Sequence, residues 1–76
     1  MKKERNLEQI FRGYGEEFFG KTIMDQITTE QIEEGRCAAM NKLHDLTEKY
    51  GRQEDGTAQV LFCEYIFNRW VLPQLH

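Results

Sequence analysis

A helix start signal near the middle of the chain constrains the fold more than any other feature. Thr28 is followed three residues later by Gln31, which is the spacing of a capping box. Ile27 and Ile32 occupy the flanking positions of a hydrophobic staple. These signals predict a helix over 29–50, about 33 Å long at 1.5 Å per residue. In a chain of 76 residues, this is the segment with the clearest start signal.

The end and the apolar stripe of this helix can also be predicted. Gly51 follows the last helical residue and is a suitable left-handed C-cap. Arg36 lies near the middle of the stripe, where its long stem can reach the helix edge. Its charge can alternatively pair with Glu33, Glu64 or a partner's carboxylate, so Arg36 is also a candidate interface residue. The stripe consists of Ile32, Ala39, Met40, Leu43, Leu46 and Tyr50.

The first segment is predicted to be a helix over about 6–19, with residue 24 as the alternative end. Asn6 is the predicted N-cap, and Gly20 is a natural stop or bend. Gly13 falls on the polar face, whereas Gly15 lies at the border of the apolar stripe, where it would let another helix approach closely. The stripe, at helical spacing, consists of Leu7, Ile10, Phe11, Tyr14 and Phe18.

The last segment is rich in residues of high β-propensity. It is nevertheless long for a strand, and the rest of the chain offers no strand to pair with it. We predict a helix over 58–72, capped by Asp55 or Thr57 and ended by Pro73. The predicted fold class is therefore all-α: a small three-helix bundle forming a single helical domain over 1–76 and completed by dimerisation.

This last helix is apolar on nearly every side, which is typical of a helix surrounded by others. Two interpretations follow. Either the helix is central in the bundle, or part of its aromatic surface is covered by a partner. We favour the second, because aromatic residues are enriched at interface cores, and a homodimer is the expected assembly. The candidate interface residues are Phe62, Tyr65, Phe67 and Trp70, together with Phe19 and Arg36.

Residues that carry catalysis or bind cofactors do not converge in the sequence. The chain contains no serine. Cys37 and His44 lie two helical turns apart, about 10.5 Å along the axis, which is too far to share a metal ion. A composite site of Cys37, Cys63 and His76 is the remaining metal alternative. The first three glycines have the spacing G-x-G-x4-G, which differs from the dinucleotide-binding G-x-G-x-x-G. We predict no enzyme, no cofactor and no metal.

Charge argues against nucleic acid as the main partner. The net charge is −3, whereas phosphate contacts need a basic face. The only basic cluster in the sequence consists of Lys2, Lys3 and Arg5, near the N-terminus. The alternative function is a nucleic-acid-associated dimeric transcriptional regulator, in which the dimer would bring two of these N-terminal segments together. Two cysteines without a signal peptide, and the absence of a long apolar run, indicate a cytoplasmic protein without a membrane span. The small size of the chain suggests a protein of bacterial or phage type.

The string Met40-Asn41-Lys42-Leu43-His44-Asp45 resembles a segment of the haemolysin-expression-modulating family. That resemblance implies a small helical regulator that binds a nucleoid protein. It covers six of 76 residues, and in that family the string lies close to the C-terminus, whereas a further predicted helix follows it here. We assign no family. The expected function is a non-enzymatic protein-protein interaction or regulatory module that acts through an aromatic helical surface.

Overall fold

A computed structural model describes residues 7–75, and the predicted cap at Asn6 lies outside this range. The described residues are helical throughout apart from short connections, and none of them forms a strand. The all-α prediction is therefore confirmed. The elements are α1 (Leu7–Phe19), α2 (Lys21–Met24), α3 (Thr29–Tyr50) and α4 (Thr57–Ile66), followed by a π-helix (Phe67–Val71) and a 3-10 turn (Leu72–Leu75).

The first helix ends where its sequence predicts. Gly20 has a φ of 92°, a conformation that residues with a Cβ rarely adopt, and it separates α1 from the short α2. Arg12 then ties the two helices together, since its Nη1 donates a 2.8 Å hydrogen bond to the carbonyl of Met24. Gly15 is buried against the Met24 side chain, which confirms that this glycine is a close-contact position.

Helix α3 has the predicted bounds. The Gln31 amide N–H donates to Thr28 Oγ1 at 3.1 Å, and the Thr28 N–H donates to Gln31 Oε1 at 3.0 Å. Both bonds of the capping box are therefore present. The predicted left-handed cap is wrong in detail: Gly51 has positive φ, but its ψ of −173° places it in an extended region that only glycine occupies readily.

Helix α4 differs from its prediction at both ends. Neither Asp55 nor Thr57 caps it, because the N-cap is Gly56 in the left-handed conformation and makes no side-chain cap bond. The Thr57 hydroxyl instead donates to the carbonyl of Glu54. At the other end, α-helical hydrogen bonding stops at Ile66, and Pro73 lies within the following 3-10 turn instead of ending an α-helix.

Helices α1 and α4 run in the same direction, and α3 runs against both. The ring of Phe11 packs edge-on against Phe62, and Phe19 at the end of α1 stacks on Phe67, which directly follows α4. Gly35 of α3 lets α4 approach closely, since a Cβ at that position would lie 3.0 Å from Phe62 Cε1. The buried core consists of Phe11, Met24, Ile27, Ile32, Ala39, Phe62, Cys63, Ile66 and Val71.

Candidate functional site: an aromatic surface beside the C-terminal turn

The residues proposed as an interface do not all reach the surface. Phe62 is completely buried, with 0% of its side chain exposed, between the Phe11 ring of α1 and the backbone of α3 at Gly35. It is therefore a core residue, because two helices cover α4 at this position. The prediction that Phe62 belongs to an exposed aromatic patch is therefore wrong.

Phe19 and Phe67 form a half-buried pair at the end of α1. Their rings are stacked, with centroids 6.2 Å apart and planes inclined by 11°. Both pack against the core, and the neighbouring Phe18 is 57% exposed. The pair therefore closes one side of the core while its outer edges remain accessible, and an interface role for it stays a prediction.

Tyr65 and Trp70 form the centre of a small surface that joins the C-terminal segment to α3. Their rings meet edge-on with centroids 5.7 Å apart. The Tyr65 hydroxyl donates a hydrogen bond to Glu34 Oε2, and Arg69 Nε donates to the same oxygen at 3.1 Å. The Arg69 guanidinium also lies 5.6 Å from the centre of the Trp70 ring, within the range of a cation–π contact. We call Glu34, Tyr65, Arg69 and Trp70 the Trp70 surface.

The charges of the Trp70 surface stabilise each other. The hydrogen bond from Tyr65 lowers the pKa of Glu34, and Arg69 acts in the same direction. The same hydrogen bond to the Glu34 carboxylate raises the pKa of Tyr65. At neutral pH the surface therefore presents a carboxylate, a neutral hydroxyl and a guanidinium around one indole ring. Such a mixture of aromatic rings and an arginine is typical of protein-binding hot spots.

Trp70 also lines an apolar cleft of about 140 Å³. A cavity of about 150 Å³ with apolar walls is large enough to bind benzene, so this cleft can accept one large apolar side chain. Two amide side chains, Gln26 and Gln74, stand among its otherwise apolar walls. The apolar walls are Ile23, Ile27, Trp70, Val71 and Leu75. Hereafter this feature is the apolar cleft.

Arg36 does not belong to the Trp70 surface. Its Nη2 forms an ion pair with Glu33 Oε1 at 2.7 Å, which is one of the pairings considered from the sequence. Arg36 follows Glu34 by two residues, which places it about 200° further around the helix axis. Its guanidinium is therefore directed away from Trp70, and a role as an interface anchor stays a prediction.

Several exposed apolar residues were missed as candidates. Leu75, at the edge of the apolar cleft, is 69% exposed, and Tyr50, at the far end of α3, is 72% exposed. Glu34 was also missed, although it organises the Trp70 surface. No pattern in the sequence signals that Glu34 meets Tyr65, because the two residues are 31 positions apart. The other large exposed hydrophobics are Leu7, Phe18, Met40 and Val60.

The two cysteines differ in environment. Cys37 is exposed, whereas Cys63 is buried and its Sγ donates to the carbonyl of Tyr14. Burial raises the pKa of the Cys63 thiol to about 11, so it stays protonated at neutral pH. Within residues 7–75, no group of three histidine, cysteine or acidic side chains is placed to hold a metal ion. The alternative site that includes His76 lies outside the described residues.

Comparisons with known proteins return no matching family model, no matching curated protein and no matching solved structure. Of the helices in residues 7–75, none has the length and apolar character needed to cross a membrane. The basic cluster Lys2, Lys3 and Arg5 lies outside the described residues, and no structural observation supports the nucleic-acid alternative. The function is therefore inferred from the Trp70 surface and the apolar cleft.

Proposed function

We propose that the protein is a non-enzymatic protein-interaction module that self-associates as a homodimer through the Trp70 surface and the apolar cleft. The observation that carries this proposal is the position of Trp70: its ring contacts Tyr65, lies 5.6 Å from the Arg69 guanidinium, and also lines an open cleft sized for an apolar side chain. Tryptophan, tyrosine and arginine are the residue types most enriched among those that dominate the binding energy of protein interfaces.

The charge of this region favours a protein partner. Glu34 and Arg69 neutralise each other across the Trp70 surface, so the surface lacks the excess of positive charge that phosphate binding needs. A second copy of the chain is the partner we propose, because a patch that is both apolar and charge-balanced can be self-complementary about a two-fold axis. A chain of this size also buries too little surface to be strongly stable alone, which association would offset.

Self-association can be tested with a matched pair of charge insertions. Leu75→Glu places a carboxylate at the edge of the apolar cleft, and Tyr50→Glu places one on an equally exposed residue at the far end of α3. Neither residue belongs to the buried core, so both variants should fold. We expect Leu75→Glu to weaken dimerisation by about tenfold or more, the equivalent of 1.4 kcal/mol, and Tyr50→Glu to leave it unchanged.

The measurement is sedimentation equilibrium over a range of concentrations, with circular dichroism as the check on folding. A wild-type protein that sediments as a 9.1 kDa monomer at all concentrations would refute the homodimer. A dimer weakened equally by both variants, or by Tyr50→Glu alone, would show that the working surface is not the one around Trp70.

A further inference from the structure

The C-terminal segment departs from α-helical hydrogen bonding where Trp70 lies. The amide of Leu72 donates to the carbonyl of Phe67, five residues earlier, instead of to Asn68. π-helical turns are rare and are frequently found at functional sites. The five residues of this turn contain neither glycine nor proline, so its own sequence does not explain the departure.

The contact between Tyr65 and Trp70 depends on this π-helical turn. The two residues are five positions apart, which in an α-helix separates side chains by about 140° around the axis and about 7.5 Å along it. In an α-helix the neighbouring side chains are those three and four positions apart, yet the ring centroids of this pair are 5.7 Å apart. The edge-on contact therefore stabilises the π-helical arrangement selectively.

Glu34 fixes the ring that makes this selective contact. Its carboxylate holds the Tyr65 hydroxyl and the Arg69 guanidinium on one oxygen. The Tyr65 ring and the Arg69 guanidinium both also contact the Trp70 ring. Glu34 of α3 thus orients the two side chains that contact Trp70. Its hydrogen bonds go to those side chains and not to the backbone of the π-helix.

Pro73 makes the alternative arrangement costly as well. In a continuous α-helix its nitrogen would face the carbonyl of Arg69, to which it has no N–H to donate and with which its ring would clash. Pro73 therefore destabilises the α-helical register, whereas the contact of the Tyr65 ring with Trp70 stabilises the π-helical register. Neither arrangement is strongly favoured by the local backbone.

We propose that residues 67–75 form a two-register element, in which Tyr65, oriented by Glu34, selects the π-helical register that places Trp70 beside the apolar cleft. In the α-helical register the Trp70 ring no longer contacts Tyr65. The wall of the apolar cleft that Trp70 forms with Val71 and Leu75 then changes its shape. Binding of an apolar side chain in the apolar cleft is then coupled to the hydrogen bonds of Glu34. Each of the two events favours the other to the same extent. This consequence for binding rests on the proposed function, whereas the two registers themselves do not.

The register can be measured in the free protein by NMR, from the scalar coupling that passes through a hydrogen bond between the Leu72 amide nitrogen and its acceptor carbonyl carbon. Wild-type protein should show the coupling to Phe67. Glu34→Ala should transfer it partly or fully to Asn68, and so should Pro73→Ala, which removes the penalty on the α-helix. The matched control is Glu33→Ala, which breaks an ion pair of α3 with Arg36 and should leave the coupling at Phe67.

Retention of the Phe67 coupling in Glu34→Ala would overturn the role of Glu34, retention in Pro73→Ala would overturn the existence of two registers, and an Asn68 coupling in the wild type would overturn both. Glu34 is exposed, so Glu34→Ala should fold, and Pro73→Ala tests the two registers independently of it. Trp70, the one tryptophan of the chain, gives a second readout: its fluorescence should shift to longer wavelength in the two switching variants and not in the control. The wild-type sedimentation experiment tests the proposed function separately, so a failed dimer and a failed register are distinguishable.

Discussion

Two glycines of α1 allow the packing at Met24 to be tested quantitatively. Replacing a glycine inside a helix with alanine stabilises it by about 1 kcal/mol when nothing obstructs the new methyl group. At Gly13 no atom lies within 4 Å of the position that a Cβ would take. At Gly15 the new Cβ would lie 2.6 Å from Met24 Sδ and 3.3 Å from Cγ, and Met24 is fully buried.

The magnitudes follow from these distances. Gly13→Ala should raise the free energy of unfolding by about 1 kcal/mol. Gly15→Ala gains the same helix preference but overpacks a buried side chain, which costs about 1–3 kcal/mol. The net effect at Gly15 should lie between no change and a loss of about 2 kcal/mol, so the two variants should differ by about 1–3 kcal/mol.

Urea denaturation followed by circular dichroism measures both variants under the same conditions. In a third background, Met24→Leu, the thioether end is absent, so Gly15→Ala should cost less there than in the wild type. If Gly15→Ala proves as stabilising as Gly13→Ala, then Met24 has room to move aside, and the account of Gly15 as a close-contact position is wrong.

Three further outcomes are expected. Phe62→Ala should lower the free energy of unfolding by about 3–5 kcal/mol, measured by thermal denaturation, whereas Phe18→Ala at an exposed position should change it by about 0.5 kcal/mol or less. A thiol reagent should modify one cysteine in native protein, the exposed Cys37, and two in denaturant, because Cys63 is buried and its pKa is raised to about 11; rapid modification of both in native protein would contradict this. The pKa of Glu34 is lowered from 4.5 in the folded chain. The stabilisation of the fold by this carboxylate should therefore be present above pH 4.5 and be lost as the pH falls through the folded pKa. The free energy of unfolding of Glu34→Gln should depend less on pH in that acidic range, and an unchanged dependence would refute the assignment.

Local signals in the sequence predicted the elements that local interactions determine. The capping box at Thr28 is formed by residues three positions apart, so its sequence pattern is sufficient to locate the start of α3. Gly20 and Gly51 mark helix ends because their positive φ is a property of the glycine itself. The end of α1 and both bounds of α3 could therefore be predicted closely, although the ψ of Gly51 depends on the path of the following loop and could not.

The C-terminal segment could not be predicted to the same depth, because tertiary contacts determine it. A helical wheel at 100° per residue places residues correctly as far as Ile66 and then fails, since the π-helix changes the angle between successive side chains. The Trp70 surface was predicted only through Tyr65 and Trp70. Its charged members, Glu34 and Arg69, are brought together from positions 35 residues apart, and no spacing rule relates such residues.

The structure explains why the last helix is apolar on nearly every side. The helix could be central in the bundle or covered by a partner, and different parts of it fit these two interpretations. Phe62 and Ile66 are fully buried because α1 and α3 cover them, so for this half of the segment the central-helix interpretation is correct. Beyond Ile66 the helix changes its hydrogen bonding. Phe19 of α1 and Glu34 of α3 still contact this segment, and Ile23, Gln26 and Ile27 line the apolar cleft beside it. These neighbours leave Leu75 exposed and the apolar cleft open. Although Val60 of α4 is also exposed, the open cleft lies beside the irregular turn, where a partner would add to the burial that this small chain lacks.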